Sequence, residues 1–140
     1  VDSLRLPAWA EQARATLAEV GVQVCGVAAG APWQHVLPGC RSVLVFGSGG
    51  SALWAHLRAL SAGETDRENP VDQLVKTTLT RLTVADSRRW VRCADDETPP
   101  LDFRTLALNA GLGHRSRLGL LLHPEFGPWW ALRAACFTTE

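Results

Sequence analysis

Apolar residues recur along LPAWAEQARATLAEVG at helical spacing, with Ala10, Ala13, Leu17 and Val20 on one face. Pro7 suits a first turn and Gly21 a stop, so the spacing predicts a helix there. The period then changes. VQVCGVAA (22–29) is short and rich in valine, as a strand is. GAPWQHVLPGC is turn material, and RSVLVFG (41–47) is a continuous apolar run, the pattern of a strand buried on both faces. GSGGS (47–51) predicts a tight connection into a second helix, ALWAHLRALSAG. In ENPVDQLVKTTLTRL, Asn69 stands at the cap, Pro70 at the first helical position and Asp72 where a capping box closes. Val71, Leu74, Val75, Thr78, Leu79 and Leu82 follow as one apolar stripe. SRRWVRCA (87–94) alternates like a strand, DDETPP is a loop, and DFRTLALNAG is a helix ended by Gly111. RLGLLLH (117–123) and WWALRAACF (129–137) are predicted strands joined through HPEFGP. Interleaved strands and helices, without repeat or linker, predict one α+β or α/β domain over residues 1–140, a sheet covered by helices.

Bulk properties narrow the function more than the fold. Lys plus Arg and Asp plus Glu number 14 each, so no net field draws nucleic acid or an anionic membrane surface. No apolar stretch reaches membrane-spanning length. Cys25, Cys40, Cys93 and Cys136 lie in or beside apolar runs with no CxxC pair. That argues against a zinc knuckle, a thioredoxin pair or an iron–sulfur site. It predicts buried free thiols in a reducing, cytoplasmic compartment. The chain starts at Val1 and stops at FTTE directly after an apolar run, so trimming from a longer protein is expected.

Among candidate chemistries, GSGGS invites a phosphate-loop reading, but the Walker lysine is missing and GxGxxG is not matched. A plain strand-to-helix turn explains it more simply. His35, His56, His114 and His123 lack metal-ligand spacing, and no GxSxG elbow occurs. Asp95, Asp96 and Glu97 beside Pro99 and Pro100 read as a solvated loop. Helix capping accounts for Asp72 but not for Gln73, which stands in the same first turn within reach of a ligand. In AGLGHRSRLGLLLHP, Gly111 and Gly113 either let backbone approach a flat ligand or merely cap a helix; His114 and Ser116 follow them. HPEFGPWWALR crowds Phe126, Trp129 and Trp130 between His123 and Arg133, with Pro124 and Gly127 forcing a turn. Successive residues of a strand face opposite ways, so only one of Trp129 and Trp130 is expected toward a ligand and the other toward the core.

LPGCRSVLVFG, NPVDQLVKTTLTRL and HPEFGPWWALR, in this order, resemble the vitamin B12-processing proteins of the cblC type. GVQVCGVAAGAPW and AGLGHRSRLGLLLHPEFGPW are more distantly similar to the cobalamin-binding half of epoxyqueuosine reductase. Residues 83–100 match neither. The resemblance implies an α+β, nitroreductase-like sheet holding cobalamin base-off, and the DxHxxG signature of histidine-on carriers is indeed absent. It implies that Pro70, Val71, Asp72 and Gln73 meet the corrin edge, with Asp72 and Gln73 bonding corrin amides. Gly111, Gly113, His114, Ser116, His123, Pro124, Phe126, Gly127 and Trp129 would line the same cavity, and Arg133, then Arg115, would hold a thiol such as glutathione.

The implied activity is reductive decyanation or thiol-dependent dealkylation, of the cyanocobalamin reductase type, or delivery as a chaperone to a downstream cobalamin-dependent enzyme. The second reading is the binding half of an epoxyqueuosine-reductase-like enzyme served by a redox partner. The third is a flavin-binding reductase with phosphate near GSGGS or Arg115. Pairing of two chains as a homodimer is compatible with all three.

Overall fold

A computed structural model of the chain describes residues 8–53, 55, 75, 77, 78, 89–93 and 101–139. Helix α1 (Ala8–Glu19) leads into strand β1 (Val24–Ala29), a short 3-10 turn (Ala31–Trp33) and strand β2 (Ser42–Gly49). Strand β3 (Arg89–Cys93), helix α2 (Phe103–Asn109), strands β4 (His114–Arg115) and β5 (Leu121–Leu122) and the long strand β6 (Trp130–Thr138) follow. The order in the main sheet is β1-β2-β6-β3, every pair antiparallel, and β4 and β5 form a separate two-stranded ribbon. The architecture is α+β.

All eight residues of β2 are buried, as its unbroken apolar run requires of a central strand. Leu44 and Phe46 face one core with Ala10, Ala13 and Leu17 of α1, Val22, Leu53, Val75, Ala134 and Cys136. Val43 and Val45 face a second core with Leu106 and Ala107 of α2, Trp33, Cys40, Ala135 and Phe137. The sheet thus separates two cores, with α1 over one face and α2 over the other. Alanines at 10 and 13 let α1 lie close on the sheet, and Gly21 (φ 92) turns the chain where a Cβ would strike the Leu53 backbone.

The strand register changes once, between Phe46 and Gly47. Phe46 pairs with Ala134 but Gly47 with Leu132, so Arg133 is the extra residue of a β-bulge in β6. The bulge reverses the parity of what precedes it. Leu132 and Trp130 consequently pack against the same core as Ala135 and Phe137.

Several predicted boundaries shift. Strand β2 runs through Gly47, Ser48 and Gly49, and only Gly50 (φ 62) makes the turn assigned to GSGGS. Of the strand predicted over 117–123, Leu121 and Leu122 pair with β4 and His123 bridges to Gly127, because Ser116 and Leu120 close a turn in which the Ser116 amide donates to the Leu120 carbonyl and the Leu120 amide to the Ser116 hydroxyl. Backbone at Ala52, Leu53 and Ala55, and at Val75, Thr77 and Thr78, is helical. The remainder of the helices predicted after 51 and after 69, including Pro70, Val71, Asp72 and Gln73, lies outside the described residues. No helix among the described residues is long and apolar enough to cross a membrane.

Candidate functional site

Antiparallel pairing brings three chain segments to one end of the sheet. Val24 pairs with Gly47 and Gly49 with Trp130, so β1 begins where β2 ends and β6 begins. The turn from His123 to Gly127 closes over that end, with reciprocal backbone bonds between these two residues, each 2.9 Å. Gly127 takes φ 59, which favours glycine there. Between the turn and the start of β1 lies a cleft of about 330 Å³. Gln23, Val24, Cys25, Leu112, His123, Glu125 and Phe126 line it.

His123 is fixed on every side. Its Nδ1 accepts from the amides of Glu125 (3.0 Å) and Phe126 (3.3 Å). Its ring lies against Phe126 at 5.0 Å and Trp130 at 5.3 Å between centroids. Phe126 in turn sits on bare backbone: a Cβ at Gly49 would stand 2.2 Å from its ring. Trp130 is half-buried, and its indole N–H donates to the Leu121 carbonyl at 3.0 Å, tying β6 to the β4–β5 ribbon. Trp129 is 77% exposed, and its carbonyl accepts from Gly50. The Gly50 amide that a phosphate would need is therefore already used. Gly47 and Gly49 meet packing demands from Ala131 and Phe126.

The other residues singled out in the sequence take varied places. Gly111 (φ 72) follows the end of α2 with open space around it, whereas a Cβ at Gly113 would meet the Leu122 carbonyl at 2.6 Å. His114 and Arg115 are exposed on β4, opposite Leu122 and Leu121. The Ser116 hydroxyl accepts from the Leu120 amide within its own turn. Pro124 is exposed on the 123–127 turn. Arg133, at the bulge, donates from Nε to the Ser48 hydroxyl at 2.9 Å, and that hydroxyl belongs to a buried serine. Of the residues predicted for a ligand cavity, His123 and Phe126 line the cleft, and Trp129 lies open to solvent at the same end of the sheet.

Sequence reasoning did not single out Gln23, Val24, Cys25, Leu112 or Glu125. Their signal lay in the quoted segments GVQVCGVAAGAPW, which holds Gln23, Val24 and Cys25, and AGLGHRSRLGLLLHPEFGPW, which holds Leu112 and Glu125, without any of the five being assigned to a ligand. The Cys25 thiol is held neutral, since burial pushes it up to about 11. Cys25, Cys40 and Cys136 are free thiols. Among the described residues no group of three or more His, Cys, Asp or Glu is arranged to hold a metal ion.

No family model and no curated protein matches the chain. Solved structures do match its fold. A catabolic reductive dehalogenase, NpRdhA, superposes with a TM-score of 0.64 at 20% identity, covering 99% of this chain and 21% of that one. A reductive dehalogenase structure described in terms of B12-dependent dehalogenation gives a TM-score of 0.63, again at 20% identity and 99% coverage. The chain spans about a fifth of the length of these proteins (21%) and shares the fold of one segment of them.

Proposed function

We propose that this chain is a cobalamin-binding domain, nitroreductase-like in its sheet, that receives the corrin base-off at the sheet end where β1 begins and the 123–127 turn closes. The observation that supports this most is the fold likeness along 99% of the chain to a reductive dehalogenase described as B12-dependent. The residues present suit such a guest. Corrin is a broad apolar disc fringed with amides, and binding sites of this kind pair apolar walls with a few placed polar groups. Val24, Leu112 and Phe126 give the cleft apolar walls, Gln23, His123 and Glu125 give it polar ones, and exposed Trp129 adds a flat surface nearby. A cleft of about 330 Å³ takes a segment of the corrin rim rather than the whole disc.

Bound cobalamin would supply a cobalt that changes oxidation state. The chain's own residues would hold the disc and exclude water from one side, and the Nδ1 of His123, engaged by backbone, would not serve as a metal donor. The binding step is assigned to this chain, and electrons would arrive from a redox partner or a further segment. Processing of cyanide or alkyl groups, with a thiol at Arg133 and Arg115, is a separate activity that the same preparation tests.

The test is an absorbance titration of the chain with hydroxocobalamin, with and without thiol. Binding with a base-off spectrum, weakened by Trp129→Ala at unchanged stability, is the expected result. Trp129 is 77% exposed, so its truncation should alter stability by no more than about 0.5 kcal/mol. A spectrum identical to free hydroxocobalamin, with no corrinoid retained on gel filtration, would refute the reading. Loss of cyanide or alkyl from bound cobalamin with thiol present adds processing to binding.

A further inference from the structure

The polar groups of the cleft are not interchangeable donors and acceptors: backbone hydrogen bonds fix His123, a bond to Gly49 orients Gln23, and Glu125 is a carboxylate. An imidazole nitrogen that accepts does not carry the proton, so the neutral His123 ring, accepting at Nδ1 from two amides, keeps its proton on Nε2. The rings of Phe126 and Trp130, tilted against it, hold that orientation. Gln23 is oriented in the opposite sense. Its Nε2 donates to the Gly49 carbonyl at 3.5 Å, which leaves Oε1 as an acceptor beside the second N–H of the same amide. Glu125 contributes a carboxylate, an acceptor only. Among the described lining residues there is no lysine or arginine, and the Cys25 thiol is neutral.

We infer that this cleft is a subsite for a primary carboxamide on a short alkyl stem. His123 Nε2–H donates to the carboxamide oxygen, and Gln23 Oε1 and the Glu125 carboxylate accept its two N–H groups. Val24, Leu112 and Phe126 enclose the stem. A carboxylate of the same shape is disfavoured, since it brings no N–H for Gln23 Oε1 or for Glu125 and sets a second negative charge against Glu125. The chemistry rests on these side chains alone. Only its source, the amide-bearing rim of a corrin rather than a free amide, rests on the proposed function.

Two arms test the subsite and its source. In the first, the ring and side-chain amide resonances of ¹⁵N-labelled protein are followed during titration with propionamide and with propionate. Propionamide is expected to shift the His123 Nε2–H and Gln23 signals while propionate leaves them in place. In the second, hydroxocobalamin is compared with a derivative carrying one rim carboxamide hydrolysed to the acid. The parent corrinoid should bind at least about tenfold more tightly, since the acid leaves two hydrogen bonds unmade. Glu125→Gln should narrow that preference. His123→Asn keeps an acceptor for the two turn amides but removes the Nε2 donor, so it should abolish the propionamide response in a chain that still folds.

Equal responses to propionamide and propionate overturn the inference. So does an unperturbed cleft in a chain that binds hydroxocobalamin. A propionamide response without hydroxocobalamin binding keeps the subsite and overturns the corrinoid source.

Discussion

At Gly49 a single missing Cβ decides whether the Phe126 ring can seat, since the added atom would lie 2.2 Å from it. Gly49→Ala is therefore expected to cost about 1–3 kcal/mol through overpacking. It should also displace Phe126 from the cleft wall. Urea unfolding measures the first effect, and ring resonances of Phe126 and His123 the second. An alanine variant of parental stability would contradict the close packing drawn here. In the sequence this glycine belonged to GSGGS and suggested a loop, because a chain of small residues carries no sign of what will press on it. His123 shows the same limit. Its type and its place before Pro124 were legible, but the tautomer was set by amides two and three residues further along, and only when the turn closes.

Individual elements were more legible, and α2 shows why. Asp102 caps it, its side chain accepting from the Thr105 amide at 3.2 Å and from the Thr105 hydroxyl at 2.6 Å. These bonds hold the Asp102 carboxyl below the usual carboxylate range, the Thr105 hydroxyl being the largest cause. A depressed folded value means stability that is present above the unfolded value, about 3.9. It is lost as pH falls through the lower folded one. Asp102→Ala should cost about 1 kcal/mol at neutral pH, as loss of an N-cap does. The parent and variant stabilities should converge below that window, and a thermal-melt series against pH checks it. A difference that persists unchanged into strong acid would show that capping is not the cause. Local signals, a periodic face and a first-turn proline for α1 and a stopping glycine for both, placed α1 and α2 well, whereas the Asp102 cap emerged only in the structure. The ribbon β4–β5 was harder: RLGLLLH is apolar enough for a strand, but Leu118 and Leu120 are 86% and 52% exposed on a turn. The exposed Arg104 guanidinium, bonded to the Gly119 carbonyl, helps to hold that turn.

Across the whole molecule, one sheet divides two cores, and the bulge at Arg133 assigns residues between them. Without it, strict alternation from Phe137 and Ala135 would carry Arg133 and Ala131 onto the α2 side, and Trp130 and Leu132 onto the α1 side. Deleting Arg133 should thus force that exchange and cost more than about 4 kcal/mol, a severe effect of core disruption. Arg133→Ala, which keeps the extra residue and loses the bond to Ser48, should cost only about 1 kcal/mol. Urea unfolding of the two variants, with near-ultraviolet circular dichroism of the tryptophans, separates them. Equal costs would mean that the side chain, not the residue count, holds the register. By itself the sequence determined the helices α1 and α2 and the doubly buried strand β2, because periodicity, turn residues and composition act over a few neighbouring residues; it left α+β and α/β open until the antiparallel pairing decided. The tertiary structure alone decided the bulge, the seat of Phe126 on Gly49 and the meeting of Gln23 with His123 and Glu125 around one cleft. Those depend on pairing between residues far apart in the chain, where a shift of one position turns a side chain to the opposite face.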